Sequence, residues 1–352
     1  MVTLVATAVA AGRTESRWGA HFLTAALCAS SVEALVGVVQ GIRALVAAAR
    51  APGERVWAVL LAIAAMLANF LFFGLGAFAA LLSTMTFSRG RQLRRLGRVL
   101  LPPLASGGSG GTWAAGDARL EGVDEDMRPA LAARWRENAR TEHASVAAFA
   151  RLTLDLLALG APPALLAAAQ RDAADEIAHA EACFAIARSI DGGEIGPGPF
   201  PAAARRPGRS PLRLLALAEL AVDSLIDGAL HEGLSARVVA KLARRCELPS
   251  VREALRAIAA DEGRHSAHGW DVVEWCVREG GEPVMSALEG AVRALPATVR
   301  DAMPRQAETG AWERWGIPGR ATEAAEYADA RRHVESRVRV LLEGVRRVRA
   351  AA

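Results

Sequence analysis

Two short segments of this 352-residue chain share one pattern, Asp175-Glu176-Ile177-Ala178-His179 and Asp261-Glu262-Gly263-Arg264-His265. Each contains Glu-x-x-His. On an α-helix, positions i and i+3 lie on one face, so the carboxylate and the imidazole of each pair can reach a common point. Of the seven histidines, only these two have a glutamate three residues before them. One such match is expected by chance in a Glu-rich chain, whereas a pair, each with a leading aspartate, is far more specific. Paired carboxylate and imidazole donors are the chemistry of a metal site.

Two more glutamates fit the same scheme. Glu142 interrupts an apolar helical stripe of Trp135, Ala139, Val146 and Phe149, and Glu232 interrupts one of Leu225, Ala229, Ala236 and Val239. Glu176 stands among Ala169, Ala173, Ala180 and Cys183, and Glu262 among Leu255, Ile258, Gly269 and Val273. Four carboxylates buried without cations would repel one another and each lose hydration worth several kcal/mol. Two divalent cations would neutralise that charge and use both histidines. A mixed carboxylate and imidazole donor set suits iron, or manganese, better than calcium or structural zinc. The plainer reading, four surface helices with solvated Glu and His, leaves the apolar stripes unexplained.

The elements that must position these residues are legible in the punctuation. Alanine, leucine and arginine dominate after residue 119, which favours helix. A first helix runs from about Pro129 to Leu159 and stops at Gly160. Pro162 and Pro163 open a second, which ends at Asp191-Gly192-Gly193. A Gly/Pro-rich crossover follows, and Ser210 with Pro211 predicts the start of a third helix ending near Cys246. Ser250 with Glu253 predicts a capping box for the fourth, which runs to Gly280-Gly281. Two helical hairpins joined by one long crossover predict a four-helix bundle. Counted from the hairpin turns at ~1.5 Å per residue, the glutamates of each hairpin fall within about one turn of a common depth. A shorter helix from Val284 and a basic C-terminal helix, striped by Val334, Val338, Leu341, Val345 and Val348, form an extension over 283–352.

In this arrangement residues 130–280 resemble the ferritin-like di-iron carboxylate superfamily, nearest to rubrerythrin-like domains. The family pattern of Glu, Glu-x-x-His, Glu, Glu-x-x-His maps onto Glu142, Glu176 with His179, Glu232, and Glu262 with His265. The resemblance implies that Glu176 and Glu262 bridge two irons, that Glu142 and Glu232 are terminal ligands, and that one histidine serves each metal. It implies that Asp175 and Asp261 orient the opposite histidines. His268, one turn beyond His265, is either a further residue behind the ligands or a polar-face histidine. The chain departs from relatives in several ways. Ala236 stands where rubrerythrin-like proteins often carry an extra glutamate, Ile258 where N-oxygenases place a histidine, and Tyr327, the single tyrosine, lies outside the bundle. Glu219, Asp223, Asp227 and His231 form a polar i, i+4 stripe beside the Glu232 face, read as solvated unless Glu232 proves not to be a ligand.

The four cysteines include no C-x-x-C pair, which excludes a disulfide framework, a zinc ribbon and a rubredoxin-type iron site. Residues 1–101 hold ten arginines and three glutamates, a net +7 inside a whole-chain +4, so residues 102–352 carry −3. The positive charge flanks apolar stretches, which points to membrane topology rather than nucleic acid. Over 20 uncharged residues between Val56 and Phe87 suffice to span a bilayer. An earlier stretch containing Glu33 is the second candidate. Residues 1–101 are thus expected to form a membrane anchor with transmembrane helices at about 21–42 and 57–86. Glu33 and Asn69 would lie at similar depth in it, as a functional site or as a hydrogen-bonded neutral pair. Arg89, Arg91, Arg94, Arg95 and Arg98 follow the second span, which places that side in the cytoplasm of a bacterial inner membrane by the positive-inside rule. Residues 102–118 read as a flexible linker, and 119–282 as the bundle.

Two functions are compatible with this reading. One is an oxidoreductase reacting with dioxygen or peroxide, either as a ferroxidase or peroxide scavenger, or as an oxygenase of a small organic or lipid substrate. The other is a non-catalytic, membrane-tethered interaction or metal-binding module. The bilayer, an external electron donor and a second copy in a homodimer are the expected partners.

Overall fold

Helix α1 (Arg128–Leu159) ends where Gly160 turns left-handed (φ 74°), and α2 (Pro163–Asp191) begins directly after Pro162. Proline presets the helical φ and needs no hydrogen-bond acceptor for its nitrogen in the first turn, so the break and the restart fall where the sequence reading puts them. The hairpin is pinned at its open end. Arg136 forks onto the two oxygens of Asp191 at 2.8 and 2.6 Å, and Arg128 donates to the Ile190 carbonyl at 2.8 Å. Burial alone would raise the Asp191 pKa, but the Arg136 hydrogen bonds outweigh it and hold the carboxyl below its ordinary value.

These positions come from a computed structural model, in which the described residues are 90–95, 98–106, 113, 120–201, 212–298 and 309–351. All of them belong to one compact unit, Met85–Ala352. The two expected spans, with Glu33 and Asn69, lie outside the described residues, as do Ser210 and Pro211. Among the described residues no helix is long and apolar enough to cross a membrane.

The second hairpin departs from a plain pair of α-helices. Its first rod consists of α3 (Arg213–Asp223), a π-helical stretch (Ser224–Glu232) and α4 (Gly233–Arg245). Its second is α5 (Pro249–Gly280). The sequence reading expects one uniform helix here, and α-helical periodicity cannot register a nine-residue stretch wound more widely. The expected Ser250 cap does not form. α5 starts two residues earlier than that cap implies, at Pro249, with Leu248 before it and no side-chain cap. The proline supplies the helical φ that the cap would otherwise help to establish.

The π-helical stretch crosses α5 at very short range. A Cβ built on Gly269 would lie 2.7 Å from the Ala229 nitrogen and 2.8 Å from the Gly228 carbonyl carbon. Only paired glycines allow the two backbones to approach this closely. α1 packs along α2, α5 along the π-helical stretch and α4, and α2 meets α5, closing a four-rod core.

The N-terminal part of the described chain lies on this bundle. β1 (Arg94–Arg95) pairs with β2 (Arg98–Val99), and β3 (Leu104–Ser106) pairs antiparallel with β4 (Ile195–Pro197) of the crossover. The Trp113 ring stacks edge-on against His143 at 5.1 Å and Phe184 at 6.5 Å. The stretch expected to be a flexible linker is therefore fastened at two described points. Composition signals flexibility, but the free edge of β4 and the α1–α2 groove provide partners that composition does not reveal.

The extension comprises α6 (Glu282–Ala294), packed on α3, and α7 (Arg320–Ala351), packed on α4, the π-helical stretch and α6. Val334 and Val338 are buried, but the stripe continues through Leu342, and Val348 is 71% exposed. The buried face runs through Tyr327, Ala330, Val334, Val338 and Leu342, the three- and four-residue spacing of one face of an α-helix.

The glycine crossing yields a direct test. Gly269→Val meets backbone atoms that cannot rotate away and is expected to cost about 1–3 kcal/mol by overpacking. Gly290→Ala, where nothing lies within 4 Å of the added Cβ, is expected to be neutral or mildly stabilising. Thermal unfolding of the full chain measures both.

Candidate metal centre

Glu176 stands between the two histidines. Its Oε1 lies 3.3 Å from Nδ1 of His265 and its Oε2 lies 3.7 Å from Nδ1 of His179. Glu262 approaches the same place from α5, with Oε2 3.6 Å from Nδ1 of His265. The two imidazoles are tilted by 35° with centroids 5.9 Å apart. Phe149 packs edge-on against His265 at 5.3 Å, closing the apolar side.

The opposite nitrogens of the histidines are held crosswise. Nε2 of His179 lies 3.1 Å from Oδ2 of Asp261, and Nε2 of His265 lies 3.2 Å from Oδ2 of Asp175. Each Asp-Glu-x-x-His segment thus braces the histidine of the other, and Nδ1 of both rings is aimed inward. Arg264 donates to both braces, at 3.1 Å to Asp175 and 2.6 Å to Asp261. His268 lies behind His265. Its Nδ1 is 2.6 Å from Oδ2 of Asp172, whose other oxygen is 3.9 Å from Nε2 of His265.

Two contacts on the outer carboxylates come from residues the sequence reading does not single out for this role. The backbone N–H of Arg91 donates to Oε1 of Glu232 at 2.7 Å, and Ser235 Oγ donates to Oε1 of Glu262 at 2.8 Å. The Arg91 guanidinium sits over the Phe149 ring at 5.4 Å. Ser235 is three residues beyond Glu232, a spacing that marks the shared face. A backbone donor from 141 residues away leaves no trace in side-chain identity.

Donor atoms of Glu176, Glu232, Glu262 and His265 lie within 4.8 Å of one another, and so do those of Glu142, His179 and Glu262. Glu262 belongs to both groups. All six residues predicted as ligands are therefore brought together, and such buried groups can hold metal ions. A third group, Asp172, Asp175 and His265, adjoins them. Asp227 and His231 of the polar stripe pair with each other at 3.2 Å and enter none of these groups.

The decisive observation is what the protein leaves unsatisfied. Both oxygens of Glu176, Oε2 of Glu232, Oε2 of Glu262, and Nδ1 of His179 and His265 are buried, make no well-aligned hydrogen bond, and face only one another. Burying such an atom unpaired costs ~1–3 kcal/mol, and more for a charged group. A purely structural ion cluster would be expected to close these contacts. Six open donors at one place fit cations.

Protonation follows the same logic. Burial, then the charges of Glu176 and Glu262, push the Glu142 pKa well above the ordinary carboxylate value. Burial, then Glu262, does the same to Glu232. Burial would lower both histidines, but the surrounding glutamates overcome it and raise His179 to about 10 and His265 to about 11. Burial would raise Glu262, yet His265 and its other partners bring it down to about 2. Protons on Glu142, Glu232 and both histidines thus offset the charge that the metal-free cluster would otherwise carry.

A scan against protein-family models finds no match to this chain, and neither curated proteins nor solved structures yield one.

The protonation pattern sets the sign of the pH dependence. Divalent ions must displace the protons of His179 and His265, held at about 10 and 11, and those retained on Glu142 and Glu232, so loading at neutral pH is expected to release at least two protons per chain. Affinity should therefore rise with pH through the neutral range and fall on acidification. Calorimetric titration with a divalent metal in buffers of different ionisation enthalpy counts those protons.

Proposed function

We propose that this chain is a membrane-anchored, ferritin-like protein with a dinuclear metal centre, and that it works as an oxidoreductase on dioxygen or peroxide. The observation that carries this reading is the convergence of six buried donor atoms from three helical rods, with Glu142 of the fourth grouped with His179 and Glu262. In this reading Glu176, Glu232, Glu262 and His265 would hold one ion and Glu142, His179 and the shared Glu262 the other. Iron fits the donor set and the intended chemistry, and manganese fits the donor set. When bound, two iron ions supply the electrons for reducing dioxygen or peroxide, which no side chain of this site can do.

The residues of the chain do the rest. Asp175 and Asp261 fix the tautomer and orientation of the histidines, keeping Nδ1 free for a metal. Glu142 and Glu232 give up their protons as cations enter. Phe149 and the surrounding apolar faces keep bulk water out, which strengthens every charge interaction inside. Electrons beyond those stored at the centre would come from a separate donor.

Metal analysis of the purified full chain tests the reading. Two ions per chain are expected. Glu176→Ala and Glu262→Ala should each lower that number and abolish oxygen consumption on ferrous addition. Wild-type metal content in both variants would sink the assignment, and a metal-free wild type that still binds a partner would favour an interaction module.

The proposed anchor and its cytoplasmic orientation rest on the apolar stretches and the arginine cluster at 89–98. A reporter fused after residue 101 is expected to be active in the cytoplasm, and periplasmic activity would reverse the topology.

A further inference from the structure

Among the described residues nine large apolar side chains are exposed, and five of them lie at one end of the bundle. Leu154 and Leu157 stand on the last turns of α1, and Leu212, Leu214 and Leu215 at the start of α3. The two groups share one end because Arg213 donates to the Leu159 carbonyl at 3.5 Å. The turn between α1 and α2 continues the surface. No charged residue occurs between Asp155 and Arg171, and Pro162, Pro163 and Ala164 are exposed there. The last turns of α7 arrive at the same end, where Arg346 pairs with Glu282 just after α5, and they expose Arg347 and Val348. An exposed apolar patch rimmed by charged groups marks an interaction surface. The opposite end has another character. Arg136 with Asp191, Arg245 with Glu313 and Arg314 with Glu247 form ion pairs across it.

Chain length points to the occupant. Gly90 is fixed at mid-bundle. Its N–H donates to the His231 carbonyl at 3.4 Å, and a Cβ there would lie 3.8 Å from Ser145 Oγ. The second expected span ends at about residue 86, and four residues of chain, however they run, reach no more than ~14 Å. Along α1, Leu157 is twelve residues beyond Ser145, ~18 Å, whereas Arg128 is seventeen before it, ~26 Å. Side chains of an interfacial helix sink ~5 Å or more into the headgroup region. Of the two ends, the tether therefore reaches a bilayer only with the apolar one.

We infer that this end of the bundle docks on an anionic lipid surface, with the leucines of α1 and α3 among the headgroups and Arg213 and Arg347 beside the lipid phosphates. Basic side chains next to an apolar face gain from both the buried area and the negative surface potential. The inference rests on the anchor proposed above for its tether. It adds a second attachment, made by the bundle itself, and it is independent of the metal assignment.

The test places a nitrobenzoxadiazole label on Leu157→Cys or on Ser250→Cys, at the two ends of the bundle, in the full chain. The three described cysteines are buried, and signal from the labelled wild type is subtracted. The chain is held in nanodiscs of phosphatidylcholine with about one-quarter phosphatidylglycerol, with and without lipid spin-labelled near the headgroup. The spin label is expected to quench the fluorophore at 157 about twofold or more and to leave the one at 250 unchanged. Leu154→Asp with Leu215→Asp, both on exposed positions and checked for helix content by circular dichroism, should abolish that quenching. Absence of quenching at 157, or equal quenching at both positions, overturns the inference, and undiminished quenching in phosphatidylcholine alone overturns its anionic part. A blue-shifted but unquenched label at 157 overturns it in favour of a protein cover, and light scattering then tells a second copy from a segment of the same chain. Alkaline carbonate extraction separates docking from anchor. A chain that resists extraction without quenching at 157 keeps the anchor and loses the docking. A chain that is extracted, yet quenched at 157 when rebound to vesicles, does the reverse.

Discussion

Four carboxylates meet at one level inside an apolar bundle, and most of the structure answers to the electrostatic cost of that meeting. Glu176, Glu232 and Glu262 are almost wholly buried, and their mutual repulsion is strongest where water is scarce. The metal-free chain meets the cost with protons, keeping Glu142 and Glu232 neutral and both histidines charged. Cations would do the same work with fewer groups left unpaired. Proton and metal are therefore alternative occupants of one charge-balancing task, and the six open donor atoms favour the metal.

The bracing of the histidines ties the site to the fold. Asp261 of α5 holds the histidine of α2, and Asp175 of α2 holds the histidine of α5. The two hairpins are therefore joined through the groups that would hold metal, with Arg264 across both braces at the rim. The Gly228–Gly269 approach lets the π-helical stretch lie close against α5 as well. Glu232 sits at the end of that stretch, where the wider winding changes which residues point inward. π-helical turns recur at functional sites for this reason.

Residues 90–101, which the sequence reading assigns to the anchor, belong to the unit of the bundle and to its site. Arg91 supplies a backbone hydrogen bond to Glu232, and Gln92, Val99 and Leu101 line a cavity beside Glu142. Membrane attachment and metal chemistry would thus share a short stretch of chain.

The helices, their breaks at Gly160 and Pro163, and the six donor residues were legible in the sequence, because each leaves a local or periodic mark. Glu-x-x-His spacing reports one helix face, and paired aspartates report a repeated motif. The sequence also determined that these donors interrupt apolar stripes, and so that their burial needs compensation. Several features were not legible. The Ser250 cap was a reasonable local signal that Pro249 displaced. The π-helical winding hides from any analysis that assumes 3.6 residues per turn. Arg91 contributes through its backbone, which every residue but proline possesses. Only the tertiary structure decided where the supposed linker attaches and which groups reach the carboxylates of Glu232 and Glu262. Each of these depends on distances between segments far apart in the chain, and such distances are set by packing, not by neighbours in sequence.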